Sequence, residues 1–204
     1  AIVLVAAIPR PALAAGGGNA LPPAQAIGDV QRGPGGKIVP RDPSTPRESR
    51  LGKGRTIHVG PAREIKLPSV AARIARDGDI VDIDAGTYSG DVAIWPQNDL
   101  TLRGVGGRAH MEAAGKAAGG KAIWLIQGYN VLLENLEFSG ARVHDKNGAG
   151  IKLEGTKLTV VGCYFHDNED GMLIGNLADA EVTVTRSEFA RNGHGDGQSH
   201  NMYI

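Results

Sequence analysis

The chain of 204 residues has one cysteine, no excess of either charge and few aromatic residues. Cys163 alone excludes an intramolecular disulfide framework and a cysteine-rich zinc site. Lysine and arginine together number 22, as do aspartate and glutamate, so the chain lacks the basic excess of a nucleic-acid-binding domain held by bulk charge. Aromatic residues make up only 4% of the chain, whereas glycine contributes 30 residues. The composition therefore excludes several binding classes and leaves the glycine content as its unusual feature.

No apolar run in the sequence is long enough to span a bilayer. Residues 1–8 are apolar, and Ala12-Leu13-Ala14 follows in the A-x-A pattern of a signal-peptide cleavage site. We interpret residues 1–15 as the remnant of a secretory signal peptide; the alternative is the apolar tail of a larger protein. The mature protein is expected to be exported, to the periplasm or the extracellular space, without inserting into a membrane.

Residues 16–54 have the composition of a linker. Glycine and proline supply 15 of these 39 residues, and no hydrophobic periodicity survives among them. Such a segment is predicted to be disordered or extended and to form no core. At the other end the sequence stops within a strand-like pattern, which suggests a fragment of a longer protein. Unpaired strand edges there lead us to expect that the isolated fragment is poorly soluble or associates.

An internal repeat dominates the region from residue 55 to residue 204. Segments 131–138, 158–165 and 182–189 align without gaps, and each ends in a phenylalanine: Phe138, Phe165 and Phe189. Within each segment the apolar alternation breaks once, at two residues whose second member is usually Gly or Asn, as expected for a left-handed bend between two short strands. Another short strand precedes each pair. A repeat of this size buries its apolar face only by stacking on its neighbours, which predicts a parallel β-helix.

The beginning of this region fits a capped stack of coils. Ser69 is the candidate N-cap of a short helix over residues 70–76 that covers the open apolar end. Residues 78–88, GDIVDIDAGTY, resemble the first-coil signature of secreted proteins of the pectate-lyase-like superfamily, and residues 148–151, 166–171 and 192–197 resemble their later coils. The resemblance implies an all-β, right-handed parallel β-helix with three short strands per coil and an N-terminal capping helix. It covers polysaccharide lyases, hydrolases, epimerases and non-catalytic members, so it does not choose an activity.

Strand alternation predicts one outward stripe on the first strand of each coil. We aligned Ile94, Ile123, Ile151, Met172 and Met202 as the inward positions. The residues that follow them are then expected to face solvent: Trp95, Trp124, Lys152, Leu173 and Tyr203. Trp95, Trp124 and Tyr203 would hold sugar rings in a shallow groove, unless loops fold over the stripe and bury it.

The loops that lead into these strands contain most of the histidines beside carboxylates. We selected His166 with Asp167 as base and orienting group, His144 as an alternative base, and His200 as a further candidate. Lys152, with Arg142 or Lys146, would neutralise a substrate carboxylate. The alternative is that these are ordinary turn residues. Asp167 and Asp170 are the candidate ligands of a calcium ion, which the superfamily resemblance favours by analogy.

These observations predict an exported protein that acts on an acidic polysaccharide by β-elimination or epimerisation. Both reactions remove the proton beside a uronate carboxylate, which needs a neutralising cation and a base. Two alternatives stay open: a non-catalytic carbohydrate-binding or cell-surface β-helix, and a glycoside hydrolase that uses Asp170 with Asp145 or Glu154.

Overall fold

The computed structural model of the chain describes residues 49–175, 177, 180–193, 195 and 199–203, together with the backbone of three short strands nearer the N-terminus. The elements are, in chain order, β1 (Leu4–Ala7), β2 (Val30–Arg32), β3 (Ile38–Pro40), β4 (Thr56–Val59), α1 (Pro68–Ile74), β5 (Ile80–Ser89), β6 (Ala93–Trp95), β7 (Thr101–Glu112), β8 (Ala122–Ile126), β9 (Val131–Glu134), β10 (Leu136–Ser139), β11 (Ala149–Leu153), β12 (Lys157–Val161), β13 (Tyr164–His166), β14 (Asp170–Ile174), β15 (Glu181–Thr185), β16 (Glu188–Ala190) and β17 (Met202–Tyr203).

The architecture is the predicted right-handed parallel β-helix. Strands β6, β8, β11, β14 and β17 pair in parallel to form a five-stranded sheet along one side. A larger sheet forms the other sides: β4, β5, β7, β9, β12 and β15 stack in that order, and β10, β13 and β16 continue from β7. The coils with β9–β11 and β12–β14 have three short strands each, as predicted.

The core is a continuous column of apolar side chains inside the stacked coils. Phe138, Phe165 and Phe189 lie on neighbouring strands, and their rings stack at centroid distances of 5.2 and 4.8 Å. Cys163 is also fully buried, as its inward parity predicted. The alignment of the phenylalanine-containing segments is therefore confirmed. It also fixes the side of the neighbouring residues: those directly before and after each phenylalanine face outward.

The bend between the paired strands is left-handed, as predicted. Asn135 and Gly162 have φ values of 54° and 63° at equivalent positions in adjacent coils. Arg186 adopts the same conformation, with φ of 49°, although its side chain carries no special preference for it. The Asn135 side chain donates to the carbonyl oxygens of Gly104 and Gly107, at 3.0 and 2.7 Å, and so ties its bend to the preceding coil.

The predicted orientation of the two tryptophans is wrong. The register pairs Ile94 with Leu125, not with Ile123. Ile94 is itself 44% exposed, and Ile151 pairs with Trp124 rather than with Ile123, so this shift of one residue places Trp124 on the inner face beside Ala93. Trp95, opposite Ile126, is also inward, and both indoles are 0% exposed with ring centroids 5.2 Å apart. They are core residues and offer no face to a sugar in solvent.

The capping helix is present, but its first turn differs from the prediction. Helix α1 begins at Pro68 with Leu67 as the N-cap residue, so Ser69 is not the cap. Asp91 supplies the missing acceptor instead, since its carboxylate receives the Ser69 backbone N–H at 2.8 Å. The helix packs on β6 and β4 through its buried residues Ala71 and Ala72. In the part of the chain that the structure describes, no helix has the length and apolar character needed to cross a membrane.

The N-terminal part contributes three short strands. Strand β1 pairs antiparallel with β15 at the end of the larger sheet, and β2 pairs antiparallel with β3. Strand β1 lies within residues 1–15, the segment interpreted as a signal-peptide remnant, and β2 and β3 lie within the expected linker. The origin of the first segment, the boundary at residue 54 and the truncation at the end of the chain stay predictions.

Candidate functional site

A cluster of mutually hydrogen-bonded polar side chains lies on the outer face of β7, β10 and β13. Glu137 lies opposite His110 on one side and Tyr164 on the other, and Ser139 lies opposite His166. These positions face outward because they flank the buried Met111, Phe138 and Phe165. Two residues from the turns, Asp167 and Arg191, complete the cluster. We call it the His166 face; its members are His110, Glu137, Ser139, Tyr164, His166, Asp167 and Arg191.

His166 lies at the centre of the cluster and contacts two carboxylates. Its Nδ1 lies 2.6 Å from Asp167 Oδ2, and its Nε2 lies 3.0 Å from Glu137 Oε1. The side chain is 14% exposed, so one edge of the ring is accessible from solvent. Since an ionised carboxylate only accepts hydrogen bonds, Asp167 is the acceptor for a proton on Nδ1, and Glu137 is the acceptor for a proton on Nε2.

Asp167 is positioned by a cation as well as by the histidine. Arg191 binds its two carboxylate oxygens in a fork, with Nε and Nη2 each 2.8 Å from one oxygen. The guanidinium, and after it His166, hold the pKa of the Asp167 carboxyl well below its ordinary value. Both Asp167 and Arg191 have left-handed backbone conformations, with φ of 55° and 52°, that turn their side chains back over the face. Asp167 is therefore an ionised partner for His166 at neutral pH.

Tyr164 lies between two guanidinium groups. Its ring stacks on His166 with centroids 4.3 Å apart, and its hydroxyl lies 3.4 Å from Arg191 Nη2. The Arg108 guanidinium also lies over the ring, 5.6 Å from its centroid. Both arginines are exposed, so the face presents positive charge to solvent beside a phenol and an imidazole.

His110 extends the cluster by one coil. Its Nε2 lies 2.7 Å from Ser139 Oγ and 3.7 Å from Glu137 Oε1. Among the residues that the structure describes, His110, Glu137 and His166 form one group of three whose possible ligand atoms all lie within 4.8 Å of one another. Two imidazoles and a carboxylate are thus close enough to share one cation.

The structure brings His166 and Asp167 together as predicted, but it does not bring Lys152 to them. Lys152 projects outward from β11 in the five-stranded sheet, where its Nζ binds Glu154 Oε1 at 2.8 Å. Gln127 donates to the other oxygen of Glu154 at 2.9 Å. Burial raises the pKa of Glu154, but these two hydrogen bonds outweigh it and the pKa is lowered. Lys152 thus has a carboxylate partner on a different face of the molecule.

The loop between β10 and β11 carries three further predicted residues, Arg142, His144 and Lys146, all exposed. His144 lies 3.4 Å from Asp145, which also accepts from Lys121 at 2.6 Å. The buried Glu169 holds the loop in place, since its carboxylate accepts the backbone N–H groups of Val143 and Gly148 at 2.9 and 2.7 Å. No contact joins the three predicted residues to the His166 face in the described part of the chain, and their role in substrate binding stays a prediction.

His200 precedes the last described strand, β17, and lies near Tyr203 on that strand. Their ring centroids lie 5.5 Å apart, and Tyr203 is 50% exposed, as its outward position predicted. Tyr203 lies opposite Leu173 on β14, in the same outward column as Lys152. Tyr203 is thus the aromatic residue of the predicted stripe that does reach solvent. His194 and Asp196 fall outside the described residues.

The proposed calcium ligands Asp167 and Asp170 have other roles in the geometry. Asp170 is 2% exposed, and its Oδ1 accepts the His200 backbone N–H at 2.7 Å. Asp167 is bound by the Arg191 guanidinium. Among the described residues, the group whose possible ligand atoms lie close enough to share one cation consists of His110, Glu137 and His166. Neither aspartate belongs to it. Calcium binding at the two aspartates stays a prediction without support from these contacts.

Glu137, Ser139, Tyr164 and Arg191 were not selected from the sequence. The apolar alternation does indicate that Glu137, Ser139 and Tyr164 face outward, because Phe138 and Phe165 were correctly placed inside and their neighbours must then lie on the other side. The sequence prediction rested on the outward column of the first strand and on the loops that lead into it, and it passed over the outward positions of the phenylalanine-containing strands. No pattern in the sequence indicates where Arg191 lies, because its position depends on a left-handed turn that alternation does not describe.

Residues 103–203 match the family model described as a right-handed β-helix region, in agreement with the coil geometry. No curated protein and no solved structure matches the chain significantly. The comparisons therefore support the architecture, and the chemistry must be inferred from the His166 face itself.

Proposed function

We propose that the protein acts on an acidic polysaccharide, by β-elimination or epimerisation at a uronate residue, and that the His166 face is its active site. The observation that carries the proposal is the His166–Asp167 pair beside Arg191. It combines a proton-transferring imidazole, an ionised group that orients it and an exposed cation within one patch. A β-helix is compatible with carbohydrate-active proteins, and its fold alone does not choose among them.

Both reactions begin with the same difficult step. The proton on the carbon beside the uronate carboxylate passes to a base, and the electron pair that remains is delocalised into the carboxylate. In β-elimination this pair forms a carbon–carbon double bond as the glycosidic bond breaks, and the departing oxygen takes up a proton. In epimerisation a proton returns to the same carbon from the opposite side. Each reaction therefore needs a cation at the carboxylate and two groups that exchange protons.

The His166 face offers groups for each of these tasks. Arg191 and Arg108 are the cations that would face the uronate carboxylate, and both are exposed. His166 is the first proton-transferring group, with Nδ1 held by Asp167 and Nε2 at the partly exposed edge of the ring beside Glu137. Tyr164 is the second, because its hydroxyl lies 3.4 Å from Arg191 Nη2 and its ring stacks on His166. The two rings stack face to face with centroids 4.3 Å apart, which places both groups on the same side of a bound sugar, an arrangement that suits β-elimination on one face of the sugar better than epimerisation.

An exported location fits this substrate class, since acidic polysaccharides are components of cell surfaces and matrices. The proposal of export rests on the apolar segment and the A-x-A pattern at residues 1–15. The polysaccharide would lie across the coils, along the axis on which outward side chains repeat about every 4.8 Å.

The test is a pair of assays on the chain with alginate, pectate and chondroitin. Ultraviolet absorbance detects the unsaturated uronates of β-elimination, and incorporation of deuterium from heavy water, followed by NMR, detects proton exchange at the uronate carbon. We expect one of the two signals on one polymer. His166→Ala and Arg191→Ala should each reduce it by at least about 100-fold, the usual contribution of a proton-transferring or charge-stabilising group.

Two matched substitutions control for nonspecific damage. His58→Ala removes an exposed histidine from β4, and Arg186→Ala removes an exposed arginine from the bend before β16; both should leave the signal within about twofold. Neither signal on any of the three polymers, with folding verified by circular dichroism, would refute the proposal. Sugar binding without chemistry would then favour the carbohydrate-binding scaffold, and release of reducing ends without unsaturation would favour the hydrolase.

A further inference from the structure

We propose that the His166 face contains a binding site for a divalent transition-metal ion of the zinc type, formed by His110 Nε2, His166 Nε2 and Glu137 Oε1. The site goes beyond the proposed reaction, because zinc there is expected to inhibit proton transfer rather than to support it. The argument rests on the separation of the ligand atoms, on their chemistry and on the groups that orient them.

The ligand atoms are already close to the spacing that a metal requires. Glu137 Oε1 lies 3.0 Å from His166 Nε2 and 3.7 Å from His110 Nε2, and all three atoms lie within 4.8 Å of one another. With bonds of about 2.0–2.1 Å, a tetrahedral zinc ion holds its ligand atoms about 3.3 Å apart. Small rotations of the two histidine side chains therefore suffice, and the backbone of β7, β10 and β13 need not move.

The chemistry of the donors selects the class of ion. Calcium and magnesium bind oxygen donors almost exclusively, in sets of six or more. Two imidazole nitrogens with one carboxylate oxygen suit zinc, cobalt, nickel or copper instead. The site thus differs in both position and chemistry from a calcium ion bound by Asp167 and Asp170.

The surrounding groups resemble the support of a metal-binding histidine. Asp167 accepts from Nδ1 of His166 at 2.6 Å, which fixes the ring with Nε2 turned toward Glu137, and Arg191 fixes Asp167 in turn. A carboxylate behind a ligating histidine orients the ring and increases its basicity. The Ser139 hydroxyl, 2.7 Å from His110 Nε2, would give up that contact and become a hydrogen-bond partner for a water at the fourth position of the ion.

The site is accessible from solvent. The side chains of His110 and Glu137 are each 23% exposed, and that of His166 is 14% exposed. An ion can therefore enter without opening of the coil stack, and its fourth position points outward. Once the ion is bound, the lone pair of His166 Nε2 is a metal ligand and is withdrawn from proton transfer. Zinc should accordingly inhibit the reaction proposed above.

The primary test measures binding and needs no activity. The untagged full chain, freed of metal with a chelator, is titrated with Zn²⁺ in a calorimeter, and the bound metal is counted by mass spectrometry after equilibrium dialysis. We expect one tightly bound zinc per chain and no comparable binding of Ca²⁺ or Mg²⁺. Cobalt should bind at the same site and show the visible absorption of a tetrahedral ion with nitrogen and oxygen ligands.

Variants distinguish this site from other surface histidines. His110→Ala and Glu137→Gln should each weaken zinc binding at least about tenfold, and Asp167→Asn, which acts only through His166, by about 10- to 100-fold. His58→Ala and His144→Ala should leave the affinity unchanged. The inference is overturned if the wild-type chain binds no zinc, or if His110→Ala and Glu137→Gln, verified as folded, bind it as the wild type does.

The binding result and the activity result are independent. Zinc binding with no polysaccharide signal would support the metal site and refute the proposed reaction. Activity that zinc at saturating concentration leaves unchanged would refute the inhibition, even if an ion binds elsewhere on the chain. Loss of zinc binding in His110→Ala together with relief of inhibition in the same variant would support both parts of the inference.

Discussion

Cys163 shows how position in the coil decides the chemistry of a single residue. The side chain is fully buried beside the phenylalanine stack, and burial raises the pKa of its thiol from 9.0 to about 11. A thiol of this kind is a core group, since the thiolate is the reactive form. The same sulfur would be reactive on the outer face of the bend.

The first prediction is that Cys163 is protected from alkylation in the folded chain. At pH 8 the two-unit rise in pKa alone lowers the thiolate fraction about 100-fold, and burial blocks the reagent further. Iodoacetamide labelling, followed by mass spectrometry, should be at least about 100-fold slower in buffer than in urea. Comparable labelling rates in the two conditions would show that the thiol is not in the core.

The raised pKa of the Cys163 thiol makes the stability of the folded chain depend on pH in a defined direction. Because the folded pKa is raised, the thiol contributes stability that is fully present below the unfolded value near 9 and is lost as the pH rises toward about 11. The difference in unfolding free energy between the wild type and Cys163→Ala should therefore shrink over this window. Lysine and tyrosine residues also titrate in this pH range. The measurement therefore compares the unfolding free energies of the two proteins at each pH, because neither pH curve alone reports on Cys163.

At the scale of the element, the bends determine where each strand can lie. Gly162 adopts φ of 63°, but a methyl group there would meet no atom within 4 Å. Gly104, on β7, has no such space: a β-carbon there would clash with the Asn135 carbonyl oxygen and lie 2.9 Å from the Ala109 nitrogen. One glycine is needed for its backbone angle, the other for the close approach of the next coil.

The second prediction compares alanine at these two positions. Gly162→Ala should cost about 1–2 kcal/mol, the price of one left-handed residue with a side chain. Gly104→Ala should cost more, about 3 kcal/mol or above, because backbone atoms on both sides must move. Urea unfolding of both variants measures the difference, and a Gly104→Ala protein as stable as Gly162→Ala would contradict the packing of β7 on β9.

The stacking elements also explain what could be predicted from the sequence. The phenylalanine-containing strands alternate strongly between apolar and polar residues, so their inward side and their bend were correct. Strand β8, AIWLI, has no polar residue, and all five of its residues are buried. Leu125 faces outward but lies under Gly119 of the preceding loop. With both faces covered, alternation carries no information about side, and Trp124 was placed on the wrong one.

The His166 face was only partly predictable for a related reason. Its strand residues follow from the inward phenylalanines, and His166 and Asp167 were selected because an imidazole beside a carboxylate is a recognisable pair. The contact of Asp167 with Arg191 spans 24 residues and depends on two left-handed residues in successive turns. Neither residue type prefers that conformation strongly enough for the sequence to reveal it.

At the scale of the whole molecule, each strand is held mainly by the strands before and after it in the stack. Strands β11 and β12 have parallel partners on both sides, whereas β16 and β17 pair on one side only in the described part of the chain. In such nearest-neighbour structures, opening is easiest where one interface is missing.

The third prediction is a gradient of hydrogen-exchange protection along the coils. Amides of β11 and β12 should exchange slowest, and those of β16 and β17 at least about tenfold faster. Hydrogen exchange followed by mass spectrometry resolves these segments. Uniform protection throughout the chain would mean that the coils open as one cooperative unit and would contradict the nearest-neighbour description.

The His166 face is assembled from four consecutive coils, those of β7, β10, β13 and β16, which has an evolutionary consequence. Repeat proteins lengthen and shorten by gaining or losing whole repeats, and the stacked core accepts such changes readily. A coil inserted between β10 and β13 would leave the core intact but would separate Glu137 from His166 by a further spacing of about 4.8 Å. If the cluster is under selection, duplications and deletions should be tolerated elsewhere in the stack and purged between β7 and β16. The lineage of this protein would then vary in length at its ends and keep a constant number of coils through its middle.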